Sequence, residues 1–158
     1  MINLSLKERR DRDVKRIIAW LSALMLCLAG LSASAEMASE GGEDMRMMIG
    51  ETPVAVAWED NASVEALKML AAEGLTIDMS MYGGFEQVGS IGQSLPRSDA
   101  QTTTTSGDIV LYSGNQLVVF YGSNSWAYTR LGHITDQTPE KMKTLLGNGD
   151  VTITLSMK

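Results

Sequence analysis

The sequence predicts a mainly β fold: a small closed or nearly closed barrel with two short helices, folded as one domain. Three observations predict it. Gly107 to Gly132 reads as three consecutive strands joined by tight polar turns. Further runs of alternating apolar and polar residues lie on both sides of that stretch, for seven or eight short strands in all. Just two segments carry a helical period, and each is bounded by its own start and stop signals.

The elements follow in order from Met45. Met45 to Ile49 and Val54 to Trp58 predict a hairpin around Gly50-Glu51-Thr52-Pro53. Ala62 to Ala72 places Ala62, Ala66, Leu67, Leu70 and Ala71 at helical spacing, after an Asp60-Asn61 cap and before the stop at Gly74. Leu75 to Tyr82 alternates with period two and is a strand. Gly83 to Thr105 is rich in glycine and polar residues and reads as loop holding one or two short strands. Ile109 and Leu111 alternate with their neighbours, as do Leu117, Val119 and Tyr121; Ser113-Gly114-Asn115 between them supplies a hairpin turn. Gly122 to Ser125 turns the chain again into the strand Trp126 to Leu131. Thr138 caps a second helix, Pro139 suits its first turn, Glu140 complements its dipole and Gly147 ends it, with Met142, Leu145 and Leu146 facing the core. Asp150 to Met157 is the final strand. No internal repeat is present.

Residues 1–35 have the form of a secretory leader. Lys7, Arg9, Arg10, Arg12, Lys15 and Arg16 precede an apolar run from Ile17 to Leu31, and Ser32-Ala33-Ser34-Ala35 supplies small residues for cleavage. The expected product is exported, periplasmic or extracellular, with an acidic tether over residues 36–44 and the barrel over 45–158. Retention as an anchor and lipidation at Cys27 are the alternatives, and they are the only route to a membrane; Leu26 is large for a lipoprotein signal. Residues 36–158 carry 16 Asp and Glu against 7 Lys and Arg. That charge disfavours nucleic acid as a partner. Cys27 is the single cysteine, so a cleaved chain has no thiol nucleophile, disulfide or thiolate metal site.

Several motifs in order carry a family resemblance: Asp60-Asn61 before a helix, Tyr82-Gly83-Gly84-Phe85-Glu86-Gln87-Val88-Gly89, Gly107-Asp108-Ile109-Val110-Leu111-Tyr112, Phe120 to Trp126, and Thr129-Arg130-Leu131-Gly132. Over about Met45 to Met157 the chain resembles the bacterial cyclophilin-like proteins. The resemblance implies a reduced cyclophilin-type β-barrel and names no reaction. True cyclophilins carry a Phe-His-Arg motif whose arginine binds the proline carbonyl; no Phe-His-Arg occurs here. Arg130 is the candidate for that task.

The expected role is binding a small molecule or an extended peptide in a groove near the glycine loop and Arg130. Tyr82, Phe85, Glu86, Tyr121, Asn124, Trp126, Tyr128 and Arg130 are the candidate ligand-binding residues. Isomerisation needs an apolar slot for the ring and a donor that weakens the double-bond character of the peptide linkage, and is the enzymatic alternative. A structural or interaction module without a pocket is the third. The bland assignment for Arg130 is an ion pair with Asp or Glu while the aromatic rings fill the barrel. No cofactor and no metal is expected. His133, the single histidine, has no Gly-x-Ser-x-Gly partner and is assigned to the surface or a cap. Gly83-Gly84 and Gly89-Ser90-Ile91-Gly92 do not open a helix, so they are read as sites of positive backbone angle, not a nucleotide cradle. Met45, Met47, Met48, Met79 and Met81 are assigned to strand packing before thioether copper binding. Thr102 to Thr105 is assigned to an exposed β-edge.

Overall fold

Ten strands and two helices make up a computed structural model that describes residues 44–158. The leader expected over 1–35, with Cys27, and all but Asp44 of the expected tether lie outside the described residues. The strands are β1 (Met45–Ile49), β2 (Thr52–Val54), β3 (Val56–Trp58), β4 (Leu75–Tyr82), β5 (Glu86–Ser90), β6 (Ala100–Thr103), β7 (Asp108–Tyr112), β8 (Gln116–Phe120), β9 (Ser125–Ile134) and β10 (Val151–Met157). Helix α1 spans Ala62–Ala72 and α2 spans Pro139–Leu146.

All strand pairings are antiparallel, in the order β2-β1-β10-β4-β5-β8-β7-β9-β3, with β6 added to β9. β2 and β3, at the two ends of that order, are separated in sequence by Ala55 alone. The Trp58 indole donates from Nε1 to the Met45 carbonyl at 2.8 Å, tying the last strand of the order back to β1. The result is a nearly closed barrel. Alternating side chains fill it: Met45, Met47 and Ile49 from β1, Ile109 and Leu111 from β7, Leu117 and Val119 from β8, Ile153 and Leu155 from β10. Val64, Leu67 and Ala71 of α1 and Met142 and Leu146 of α2 join this core, with Leu145 half-buried against it.

The caps form as the sequence requires. Asn61 Oδ1 accepts from the amides of Ser63 and Val64, both at 3.0 Å, and its Nδ2 donates to the Arg130 carbonyl at 2.9 Å, so the cap also fastens α1 to β9. Thr138 caps α2.

Four sequence expectations are corrected. Val54 to Trp58 is not one strand: it breaks at Ala55, because β2 pairs with β1 while β3 pairs with β9. β9 continues past Leu131 to Ile134, carried by its pairing with β3 and β7. Gly83, Gly84 and Gly92 do adopt positive φ, but Gly89 does not; a Cβ there would lie 2.6 Å from the Asp78 carbonyl, so close approach of β4 is its reason. The threonine run is likewise mixed, since Thr104 is buried.

Candidate aromatic cleft on the outer face

The strands of the barrel wall carry a second, smaller apolar cluster on the face turned away from the core. Val110, Val118, Phe120 and Tyr128 are buried there, and Phe85 and Val88 pack against them. Register explains the cluster: Val88 lies opposite Val118, and Val118 opposite Val110. A bulge between Ile109 and Val110 then shifts β9, which leaves β7 beyond Thr129 and pairs with β6 over Ser125 to Tyr128. That departure brings Tyr128 onto the outer face, where its ring meets Phe120 at 5.7 Å and Tyr112 at 6.0 Å, both edge-on.

Above this cluster lies a cleft of about 350 Å³ lined by Tyr82, Glu86, Val88, Tyr112, Gln116, Val118, Asn124, Trp126 and Tyr128. Tyr82 is 67 % exposed and Trp126 57 %, so the rim presents aromatic surface to solvent. Asn124 is held firmly: its amide donates to Tyr128 Oη at 3.0 Å and its carbonyl side chain accepts from the Ser125 amide. Thr104 clamps its backbone from both sides.

Among the described residues, Glu86 is the one ionisable carboxyl in the lining. It is 6 % exposed, its Oε2 is enclosed without a hydrogen-bond partner, and no ion pair reaches it among the described residues. Burial pushes its pKa up to about 7 from 4.5. The same carboxyl contributes to raising the Tyr128 phenol, whose largest influence is its own burial.

Five of the eight candidate residues therefore meet in this cleft: Tyr82, Glu86, Asn124, Trp126 and Tyr128. The other three do not line it. Phe85 supports from below, its ring parallel to Phe120 at 6.5 Å. Tyr121 points into the main core, where its hydroxyl is buried without a partner. Arg130 lines a separate groove with Asn61, Ser63, Pro96 and Thr129. Tyr128 borders both depressions.

Arg130 is engaged by carboxylates. Its Nη2 donates to Asp108 Oδ1 at 3.2 Å and its Nε to Glu59 at 3.3 Å. His133 Nδ1 reaches the same Asp108 oxygen at 2.8 Å, and Thr105 donates to Oδ2 from its amide and hydroxyl. Burial alone would raise the Asp108 pKa, but the Thr105 amide, His133 and Arg130 outweigh it and hold it below the usual value. An ionised carboxylate only accepts, so His133 carries its proton on Nδ1. No hydroxyl bonds to His133 among the described residues, and the cluster is a structural tie between β7, β9 and the loop before α1.

Sequence reading missed Val88, Tyr112, Gln116 and Val118. The signal was present: once the β7–β8 hairpin is set, Tyr112 and Gln116 are opposite each other and share a face with Val118. Among the described residues no three His, Cys, Asp or Glu side chains cluster in a way that suits a metal ion, and no helix is long and apolar enough to cross a membrane. Met45, Met47 and Met79 are core residues, while Met48 and Met81 are exposed.

No curated protein and no solved structure matches the chain. A family model described as the cyclophilin-like family matches residues 47–156, which is the barrel from β1 to β10. The chain belongs to the cyclophilin-like family.

Proposed function

We propose that this domain is a binding module that takes a small molecule or an extended peptide in the outer aromatic cleft, and that it works outside the cytoplasm once residues 1–35 are removed. The observation that supports the reading is the convergence of Tyr82, Tyr112, Trp126 and Tyr128 around a buried carboxyl whose Oε2 has no hydrogen-bond partner among the described residues. A concave, largely apolar lining with a few convergent polar groups is the usual form of a ligand site.

Isomerisation is less well supported. The guanidinium it would use belongs to the other groove and is engaged by Glu59 and Asp108. The neutral side-chain donors at the cleft are the amides of Gln116 and Asn124, the Trp126 indole and tyrosine hydroxyls.

Titrating the isotope-labelled protein with an Ala-Pro peptide and a small-fragment set, followed by NMR, tests the reading. Shifts confined to Tyr82, Tyr112, Trp126 and their neighbours are expected, with unchanged cis-trans exchange in the peptide. Trp126→Ala should abolish them and alter stability by no more than about 0.5 kcal/mol, because the side chain is exposed. Accelerated exchange would establish the isomerase instead. Absence of shifts from every probe would remove the binding reading.

A further inference from the structure

Glu86 poses a chemical question that the fold does not answer. A buried carboxyl oxygen without a donor is rare in a folded protein, and each instance calls for an occupant or a use. Tyr82 of β4 and Phe120 of β8 lie across from Glu86 in register, and the cleft it lines is shared with Gln116 from β8, Tyr112 from β7, and Asn124, Trp126 and Tyr128 from β9 and the turn before it. Tyr82, Tyr112 and Tyr128 are the titratable ones, and among the described residues no Lys, Arg or His lines the cleft.

The donor must therefore come from outside the cleft. Four aromatic rings around the opening favour a cation over a neutral donor, because the ring faces attract positive charge most strongly where water is thinned. The acidic balance of the chain, 19 Asp and Glu against 13 Lys and Arg, draws cations toward it. We propose that the cleft receives a protonated amine, whose N–H groups meet the Glu86 carboxylate while its alkyl stem lies against Val88 and Val118 between Tyr82, Tyr112, Trp126 and Tyr128. This rests on the binding reading above and specifies its ligand class. The amine belongs either to a small molecule or to a lysine side chain, and the chemistry is the same for both.

Proton linkage follows. Glu86 titrates near pH 7 when the cleft is empty, whereas the amine binds the ionised carboxylate. The ionised fraction rises about tenfold from pH 6 to pH 8, so affinity rises with it by the same factor.

The test titrates the intact protein with n-butylammonium, with n-butanol as its neutral isostere, and with acetyl-Gly-Lys-Gly-amide against its norleucine counterpart. Calorimetry and the Trp126 indole N–H signal report binding. The charged probes are expected to bind at least tenfold tighter than their neutral partners at pH 8, and about tenfold less tightly at pH 6. Glu86→Gln should erase both differences, its folding checked by the dispersion of its spectrum, and Tyr112→Leu should weaken the charged probes in a chain that keeps Glu86. Tighter binding of the lysine peptide than of n-butylammonium assigns the source as a protein side chain, and the reverse assigns a small molecule; both uphold the proposal. Equal binding of neutral and charged probes, or unchanged ammonium affinity in Glu86→Gln, overturns it and leaves the cleft as a binding site. If the ammonium probes are silent while the Ala-Pro peptide or a fragment shifts Trp126, the amine proposal fails alone; silence from all of them removes the site as well.

Discussion

Phe120 lies directly across from Glu86 in the β5–β8 register, as Tyr82 does on the other side in β4. The carboxyl is thus flanked within its own sheet by two aromatic residues. Its raised pKa follows from that placement, since water is excluded and nothing of opposite charge replaces it.

The consequence for stability has a definite sign. A carboxyl near 4.5 when unfolded and about 7 when folded binds more protons in the native state, so the protein loses stability as pH rises through that interval. Glu86→Gln should remove the loss, leaving the variant about 1–3 kcal/mol more stable than the parent at pH 8 and nearly equal to it at pH 4. Urea denaturation at the two pH values measures it. A parent whose stability is flat across the interval would show that Glu86 is solvated.

Asp108 should behave in the opposite way. Its folded pKa is depressed, so its contribution is present above the unfolded carboxyl value and disappears as pH falls through the folded one. Asp108→Asn keeps the shape but loses the charge that holds Arg130 and His133, and should cost about 2–3 kcal/mol at pH 7. The difference should shrink below pH 4, as chemical denaturation of both proteins will register.

Asn61→Ala removes two cap bonds and the tie to the Arg130 carbonyl. A loss of about 1–2 kcal/mol is expected. Hydrogen exchange should quicken first in α1 and only slightly in α2; uniform quickening would contradict the local role.

Gly89→Ala puts a methyl group 2.5 Å from Met79 Sδ and 2.6 Å from the Asp78 carbonyl. Because one contact is backbone, β4 and β5 must separate, at a cost of about 2 kcal/mol or more. Gly84→Ala, with nothing near but a positive φ of 76°, should cost about 1 kcal/mol through strain alone. Thermal melts of the pair separate crowding from backbone conformation.

Elements whose information is local were legible in the sequence. Both helices lie where Asn61, Gly74, Thr138, Pro139 and Gly147 place them, because a cap acts within three or four residues. The Ser113-Gly114-Asn115 hairpin and the period of the final strand were legible for the same reason. The break at Ala55 was not, because an unbroken apolar run does not say that its halves pair with different partners. Much of the cleft was legible from its aromatic residues, but Arg130 was grouped with them wrongly in space: two residues from Tyr128 on one strand, it is drawn by Glu59 and Asp108 to a different depression. Long-range register, which sequence spacing does not encode, decides both cases.

The pairing of β1 with β10 sets a clock on the molecule. Met45 meets Met157 and Ile49 meets Ile153, so a strand made early in synthesis waits for one made more than a hundred residues later. Until then the edges of β1 and of β4, which β10 also joins, stay open. The barrel therefore closes only after its last strand has been made, and anything that holds the chain extended until that moment protects two bare edges from pairing with the wrong neighbour.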